Sequence, residues 1–374
     1  MRDSTYRVAV IGLAHMHVNE LMRRFAELPN VEMVAIADTG VPELNRASPS
    51  TRAHTLAVAQ SEVGIPRTYT DYRVLLEHER PDIVLLCPEL SSTAEIGAEV
   101  ASSGAHIVTE KPMTASLAEA ETLMRAVRTA GVELMVNWPT AWSGAMRRMQ
   151  QLVEVGEVGT LLQVHTRMGS AGPFATGAAH PGVRAAVTPL TDAEKAATWW
   201  YDASLGGGAY LDYCCYGAAL ACWLFGRPPE LALGVRVNLA SPFGTADDNG
   251  ILILHFDGGL AMAEGTWSSV DAGGLHGPVV YGSAATLSLD GPAASARVRV
   301  SAPGQPVRFA APLDLPANRA TLAREFLHHL ESAEPLHPLL DADFNLQVMA
   351  ALDAGIRAAD SGQRQPVRLP SQVQ

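Results

Sequence analysis

Residues 12–17, Gly-Leu-Ala-His-Met-His, have the composition and position of a turn that could bind a dinucleotide. They follow Tyr6–Ile11, an apolar segment typical of a buried strand, and precede apolar residues at helical spacing. A tight glycine turn before a helix presents backbone amides to a pyrophosphate. Of the pattern G-x-G-x-x-G only Gly12 is present, because Ala14 holds the second position and His17 the third. The residues expected to contact the dinucleotide here are Gly12, Ala14, His15 and Met16.

Asp38 lies 26 residues after Gly12, at the end of a second apolar segment, Val31–Ala37. A carboxylate at this position can accept hydrogen bonds from both hydroxyls of the adenosine ribose, and it repels the 2′-phosphate of NADP. Neither Thr39 nor Gly40 offers a positive charge for that phosphate. The sequence therefore favours NAD over NADP. The alternative interpretation is that Asp38 only caps a turn.

His15 and His17 are residues of a type that binds metal ions. Two positions apart on a helix they do not share a face, and no third ligand is identifiable in the sequence. We therefore expect no metal site. The alternatives are that these histidines pack within the turn, or that they donate a hydrogen bond to the pyrophosphate or the substrate.

The pattern of predicted strands and helices that must position these residues changes near Trp142. Before it, short apolar runs alternate with helical patterns, which predicts a parallel sheet with ligands bound beyond the carboxyl ends of its strands. After it, helices over 146–155 and 208–225 precede strand candidates at 232–238, 250–256, 260–268 and 277–290. We predict an α/β Rossmann domain over residues 1–137 and, over residues 138–374, an α+β domain with a large, mostly antiparallel open sheet.

Composition narrows the partners of this 374-residue chain. A net charge of -12 repels nucleic-acid phosphates and anionic lipid, so we expect neither as a partner. The N-terminus carries charge where a secretion signal would be apolar, and no apolar run is long enough to span a membrane, which predicts a cytoplasmic protein. The spacing of the four cysteines fits no disulfide framework, so free thiols are expected.

An ordered series of short motifs runs along nearly the whole chain. It consists of the opening strand, turn and helix, Asp38, Pro81-Asp82, Glu110-Lys111-Pro112, Gly156-Glu157-Val158-Gly159, and Gly206-Gly207-Gly208 followed by Asp212. In this order the motifs resemble those of the Gfo/Idh/MocA family, the group of glucose-fructose oxidoreductase and inositol dehydrogenase. The resemblance implies a homo-oligomer, because the open sheet of the second domain commonly forms interfaces in this family.

The resemblance also implies roles for the residues around Lys111. It places Lys111 beside the nicotinamide and the reacting substrate hydroxyl, before a cis proline, and it places Glu110, Cys87 and Pro88 along the cofactor. A cation near the reacting oxygen favours alkoxide character and lowers the pKa of a neighbouring acid-base group. Without that context Lys111 would be interpreted as a surface lysine at a strand end.

Tyr216 stands where the family usually has a histidine that acts as acid and base. Some members of the family are similar to this chain in having tyrosine there. Asp212 and Tyr216 are four residues apart and can address one pocket from one helical face. Tyrosine has an ordinary pKa near 10, so a role as base requires the charge of Lys111 or of oxidised nicotinamide. The alternative is a tyrosine packed into a core helix.

Departures from the family pattern leave the substrate open. Ser91, Ser92 and Thr93 stand where a histidine is common, and Asn137-Trp138-Pro139-Thr140 replaces a frequent Asn-Arg-Arg. Trp138 could form a floor for the apolar face of a sugar ring, or belong to the core. His165 is expected on the pocket wall. Weaker candidates are Arg167, His180, Trp199, Trp200 and Asp202.

Together these features predict an NAD-dependent oxidoreductase. It would oxidise a secondary hydroxyl of a small polyhydroxylated substrate, a sugar, cyclitol or related polyol, or reduce the ketone. Tyr216, helped by Lys111, would remove the hydroxyl proton while the carbon transfers a hydride to the nicotinamide, and Asp212 would orient the hydroxyl or Lys111. Two alternatives remain: a redox-neutral enzyme that uses bound NAD for transient oxidation during glycoside cleavage, elimination or epimerisation, and a non-catalytic dinucleotide-binding regulator.

Overall fold

The first sheet of the protein is a six-stranded parallel sheet. We analysed a computed structural model that describes residues 5–39, 51–175, 183, 190–269, 276–292 and 295–370. The strands of the sheet are β1 (Tyr6–Ile11), β2 (Val31–Ala37), β3 (Arg67–Tyr69), β4 (Ile83–Leu86), β5 (His106–Glu110) and β6 (Leu134–Asn137). The helices between them are α1 (Val18–Ala26), α2 (Arg52–Val58), α3 (Tyr72–Glu79), α4 (Thr93–Ser102) and α5 (Leu117–Ala130).

Strand order in this sheet is β3-β2-β1-β4-β5-β6. The central strands are mostly apolar and almost entirely buried on both faces, as a sheet covered by helices on both sides requires. The order reverses direction between β1 and β4, and the carboxyl ends of these strands therefore border a crevice for ligands. The predicted Rossmann fold is confirmed.

The second sheet has nine strands and is mostly antiparallel. They are β7 (Leu161–Gly169), β8 (Leu231–Val237), β9 (Asn249–Phe256), β10 (Gly259–Thr266), β11 (His276–Gly282), β12 (Thr286–Asp290), β13 (Arg297–Ser301), β14 (Arg308–Ala310) and β15 (Gln365–Pro366). The helices of this part are α6 (Gly144–Glu154), α7 (Asp192–Ala196), α8 (Cys215–Phe225), α9 (Leu322–Ser332) and α10 (Ala342–Ser361).

The order of this sheet is β14-β13-β12-β11-β7-β10-β9-β8-β15, and only β7 and β10 pair in parallel. Helices α8 and α10 cover one face closely: a Cβ on Gly217 of α8 would lie 2.3 Å from the Cβ of Ala263 in β10. The predicted α+β architecture with a large, mostly antiparallel sheet is thus confirmed.

Two predicted elements differ in detail. The strand candidate at 277–290 is two strands, because the amide of Gly282 donates to the carbonyl of Ala285 and closes a tight turn. The helix predicted over 208–225 begins with a π-helical turn, Tyr210–Cys214, that leads into α8. His180 lies outside the described residues.

The helices and the cysteines bear on two expectations about the chain as a whole. None of the helices in the described ranges combines the length and apolar character needed to cross a membrane. All four cysteines are buried and free, as their spacing predicts.

Candidate active site

Lys111 joins the two parts of the protein. It directly follows β5, its side chain is only 2% exposed, and its Nζ donates to Asp212 Oδ1 at 2.7 Å and to the Asp212 carbonyl at 2.8 Å. The other carboxylate oxygen of Asp212 accepts from Trp267 Nε1 at 3.1 Å. Asp212 lies in the π-helical turn, so the ion pair connects the carboxyl edge of the Rossmann sheet to the segment before α8. The peptide bond between Lys111 and Pro112 is cis, as the resemblance implies.

Tyr216, in the first turn of α8, lies against Lys111. Lys111 Nζ is 4.6 Å from the centroid of the Tyr216 ring, which is a cation–π contact with the face of the ring. The rings of Tyr216 and Trp138 pack nearly perpendicular to each other, with 5.4 Å between the ring centroids. Lys111, Asp212 and Tyr216 therefore form one cluster, in which Asp212 and not the tyrosine hydroxyl holds the ammonium group.

The electrostatics of this cluster follow from its burial. Burial lowers the pKa of Lys111, but the charge of Asp212 and smaller contributions from Tyr216 and Cys215 raise that pKa well above its usual value. Burial raises the pKa of Tyr216 above its usual value, and Lys111 lowers it only in part. The cluster consequently holds a charged ammonium group and a protonated phenol near neutral pH.

The turn after β1 has the tight geometry that a dinucleotide site requires. Gly12 has φ +84°, and a Cβ on it would lie 2.3 Å from the backbone nitrogen of Pro88, so only glycine fits. The amide of Ala14 donates to the Cys87 carbonyl at 3.0 Å. The structure thus brings Gly12, Ala14, Cys87 and Pro88 together, and Met16 is buried in the same turn.

Asp38 lies beside this turn, and its surroundings include a cation that the sequence analysis missed. Its Oδ1 accepts from the Leu13 amide at 3.2 Å and is paired with the guanidinium group of Arg52. Arg52 also pairs with Glu89 and is itself buried. Arg52 lies 14 residues beyond Asp38, and only the packing of α2 brings it to that carboxylate.

Two adjacent tryptophans cover the same turn. Trp199 Nε1 donates to the Ala14 carbonyl at 2.9 Å, and the ring centroids of His15 and Trp200 are 5.0 Å apart. A small cavity next to them is lined by His15, Lys111 and Asp212, among other residues. The weak candidates Trp199 and Trp200 are therefore close to the cluster, whereas Asp202 caps the turn at Ser204.

His15 and His17 are joined by a third residue of metal-binding type, Glu110. His17 Nδ1 is hydrogen-bonded to Glu110 Oε2 at 3.1 Å, and His15 Nδ1 accepts from the His17 amide at 3.3 Å. The sequence alone did not identify Glu110 as a third residue of this type, because β5 brings it from 93 residues away.

Two predicted substrate contacts lie elsewhere. Trp138 is fully buried and its Nε1 donates to Asn345 at 2.6 Å, so the ring supports Tyr216 and cannot form a floor for a sugar. Thr166 faces α8, and because side chains alternate along a strand, its neighbour His165 faces the other side of the sheet. There His165 packs on Tyr281, and Arg167 pairs with Glu264.

The Rossmann fold and the cluster of Lys111, Asp212 and Tyr216 are those of an oxidoreductase, and the family comparison agrees. The profile described as "Oxidoreductase family, NAD-binding Rossmann fold" matches residues 6–138, and the profile described as "GFO/IDH/MocA C-terminal domain" matches residues 146–288. The two profiles together cover most of the chain, which therefore belongs to the GFO/IDH/MocA family. The resemblance found in the motifs is confirmed.

Relatives with named activities match part of the chain. D-apiose dehydrogenase of Paraburkholderia graminis is 26% identical over 155 residues, 41% of this chain and 38% of that protein. The scyllo-inositol 2-dehydrogenase (NAD(+)) of Bacillus subtilis is 26% identical over 153 residues, 41% of each chain. The matched segment thus spans about two fifths of the length of these relatives.

A solved structure matches over almost the whole length. The aldose-aldose oxidoreductase of Caulobacter crescentus, complexed with glycerol, superposes with a TM-score of 0.75 and covers 97% of this chain and 99% of its own. At 22% identity this likeness shows a shared fold.

Proposed function

We propose that the protein is an NAD-dependent dehydrogenase that oxidises a secondary hydroxyl of a sugar, cyclitol or related polyol, or reduces the corresponding ketone. The observation that carries the proposal is the buried ion pair of Lys111 and Asp212 against Tyr216, at the carboxyl edge of a Rossmann sheet. The relatives named above act on D-apiose and scyllo-inositol, which are substrates of this chemical class.

The residues of the first domain fit the dinucleotide. The Gly12 turn, packed on Cys87 and Pro88, would hold the pyrophosphate together with His15 and Met16, and Asp38 would hold the adenosine ribose. Glu110 and Lys111 would border the nicotinamide. When bound, NAD supplies the acceptor for a hydride from the substrate carbon.

The protein's own residues handle the proton and the charge. Lys111 stabilises negative charge that develops on the substrate oxygen, and Asp212 keeps the lysine charged and in place. Tyr216 takes the hydroxyl proton during oxidation and returns it during reduction. Trp138 packs against the ring of Tyr216 and positions it. Residue by residue, this assignment makes the active site one of the tyrosine type.

We also propose that the protein is a homo-oligomer. The face of the second sheet opposite α8 and α10 exposes apolar side chains from neighbouring strands, among them Val235, Ile251 and Leu260. An apolar surface of this kind on a sheet is typical of an interface between subunits.

The decisive experiment measures formation of reduced nicotinamide with purified protein, NAD and NADP separately, and a panel of aldoses, inositols and sugar acids. We expect reduction of NAD with at least one class of substrate, and loss of that reduction in Lys111→Met. Substrate consumption without reduced nicotinamide, or unchanged turnover in Lys111→Met, would contradict the proposal.

A further inference from the structure

His15, His17 and Glu110 form a buried cluster beside the active site but outside the proton-transfer groups. Their exposed fractions are 4%, 7% and 3%, and one potential ligand atom of each lies within 4.8 Å of the others. Two imidazoles and one carboxylate make up a ligand set that zinc and other divalent transition metals use, with coordination positions left for water or substrate.

The spacing of the cluster is close to what an ion needs. Ligand atoms about 2.0–2.2 Å from a tetrahedral zinc ion lie about 3.3–3.6 Å from one another. His17 Nδ1 and Glu110 Oε2 are already 3.1 Å apart. The ligand atom of His15 lies within 4.8 Å of those of His17 and Glu110.

Glu110 is also held as a metal ligand would be. Its Oε1 accepts from Asn137 Nδ2 at 2.6 Å, and the Asn137 side-chain oxygen accepts in turn from Trp142 Nε1 at 3.4 Å. Partners of this kind orient ligands in metal sites, and here they leave the other carboxylate oxygen directed to the histidines.

The negative charge of the buried Glu110 carboxylate also favours a bound cation. Within the described ranges, the ion pairs of Glu110 include no lysine or arginine, since Lys111 is paired with Asp212. A carboxylate buried to this extent is costly without a compensating cation. A divalent ion would supply that charge, and a cavity lined by His17, Asn137 and Trp142 offers a path for it.

We propose that His15, His17 and Glu110 bind one divalent transition-metal ion per chain, with zinc as the probe. Imidazole nitrogen favours such ions over magnesium and calcium, which prefer oxygen ligands alone. The proposal goes beyond the dehydrogenase assignment and gives His15 and Glu110, which would also border the dinucleotide, a second role. Its test measures metal binding and not turnover, so either assignment can fail without the other.

The test is a calorimetric titration of the full-length, chelator-treated protein with Zn²⁺, with Mg²⁺ for comparison. We expect uptake of one Zn²⁺ per chain, and a visible absorption spectrum of tetrahedral coordination with Co²⁺. In His17→Gln and in Glu110→Gln the affinity should fall about tenfold or more. His255→Gln, which alters an exposed histidine on β9, should bind as the natural protein does.

The proposal is overturned by either of two results. One is that the natural protein takes up no stoichiometric Zn²⁺, which decides the matter even if a variant does not fold. The other is that His17→Gln and Glu110→Gln, shown by circular dichroism to be folded, bind Zn²⁺ as tightly as the natural protein.

Discussion

At the scale of single residues, the cluster of Lys111, Asp212 and Tyr216 keeps the positive charge and the titratable proton on different side chains. The Lys111 ammonium is held by Asp212 and stays charged, while Tyr216 presents its ring face to that charge and keeps its proton. Trp267 donates to the second oxygen of Asp212 and fixes the carboxylate. A charged lysine therefore accompanies a phenol that releases its proton reluctantly.

The high pKa of Tyr216 predicts a pH dependence. Since oxidation needs the deprotonated phenol, kcat/KM for oxidation should rise by about tenfold per pH unit until that pKa is reached. Ketone reduction needs the protonated phenol and should not fall over the same range. The measurement is the pH profile in both directions with one substrate pair.

Replacing the phenol tests the same assignment. Tyr216→Phe should lower kcat by about 10²–10⁴-fold and remove the pH dependence of oxidation, because the ring packing on Trp138 remains and the proton acceptor is lost. Tyr72→Phe, on α3, is the matched control and should keep the natural rate. A Tyr216→Phe enzyme with a natural pH profile would assign the proton to another group.

The ion pair of Asp38 and Arg52 predicts that Asp38 controls the preference for NAD over NADP. Asp38→Ala should raise the Kd of NAD about tenfold, and it should narrow the gap between NAD and NADP, because Arg52 loses a carboxylate partner and can face a 2′-phosphate. Asp290→Ala, on β12, should change neither constant. Fluorescence titration gives both constants, and an unchanged ratio would mean that Asp38 does not contact the ribose.

At the scale of elements, the segment from Tyr210 to Phe225 carries two of the three active-site groups. It begins where the carboxylate of Asp247 accepts from the Tyr210 amide at 2.7 Å. Burial raises the pKa of Asp247 from 3.8 to about 6, although the hydrogen bond from Tyr210 and the charge of Arg236 lower it. The start of this segment therefore depends on the protonation of Asp247.

Ionisation of Asp247 makes the folded protein less stable as the pH rises. A carboxyl whose pKa is raised on folding binds its proton more tightly in the folded protein, so its stabilising contribution is complete at low pH and is lost as the pH rises to about 6. A shift of this size corresponds to roughly 3 kcal/mol. Asp247→Asn stays neutral, so its free energy of unfolding relative to the natural protein should increase by up to that amount between about pH 4 and pH 7.

Asp248→Asn is the matched control for that measurement. Burial raises the pKa of Asp248, but hydrogen bonds from the Leu239 and Ala240 amides lower it by more than burial raises it. The pKa of Asp248 is therefore below its usual value. Its stabilising contribution is present at neutral pH and is lost on acidification. Because that loss begins only below about pH 4, urea unfolding at pH 4 and pH 7 should show the increase for Asp247→Asn and almost no change for Asp248→Asn, and an equal change in both variants would contradict the assignment.

At the scale of the whole molecule, the second sheet has two unlike faces. Small residues let helices pack on one of them: a Cβ on Gly234 would lie 2.0 Å from the Gly355 carbonyl of α10. The other face carries Val235 at 53% exposure and Leu233 at 44%. Water contact with these side chains is unfavourable, and a second copy of the chain would remove it.

An acidic substitution on this face tests the oligomer. Light scattering should give the natural protein a mass above the 39.7 kDa of one chain, and Val235→Glu should reduce it because a charge would be buried in the interface. Val155→Glu changes a valine exposed outside the sheet and should leave the mass unaltered. A monomeric natural protein would refute the interface.

The sequence by itself determined the local features of this protein. The Gly12 turn, Asp38 directly after β2 and the alternation of strands and helices before Trp142 depend on short-range backbone geometry and hydrophobic periodicity, which neighbouring residues specify. The motif order was sufficient to identify the family, and with it Lys111 and Asp212 as residues that meet.

Only the tertiary structure decided which distant side chains meet and which face they occupy. Glu110 reaches His17 from β5, and Arg52 reaches Asp38 from α2. His165 and Thr166 are neighbours on β7, so their side chains lie on opposite faces of the sheet, and packing decided which face each one occupies. These outcomes depend on the packing of whole elements, which fixes side-chain directions that periodicity alone leaves undetermined.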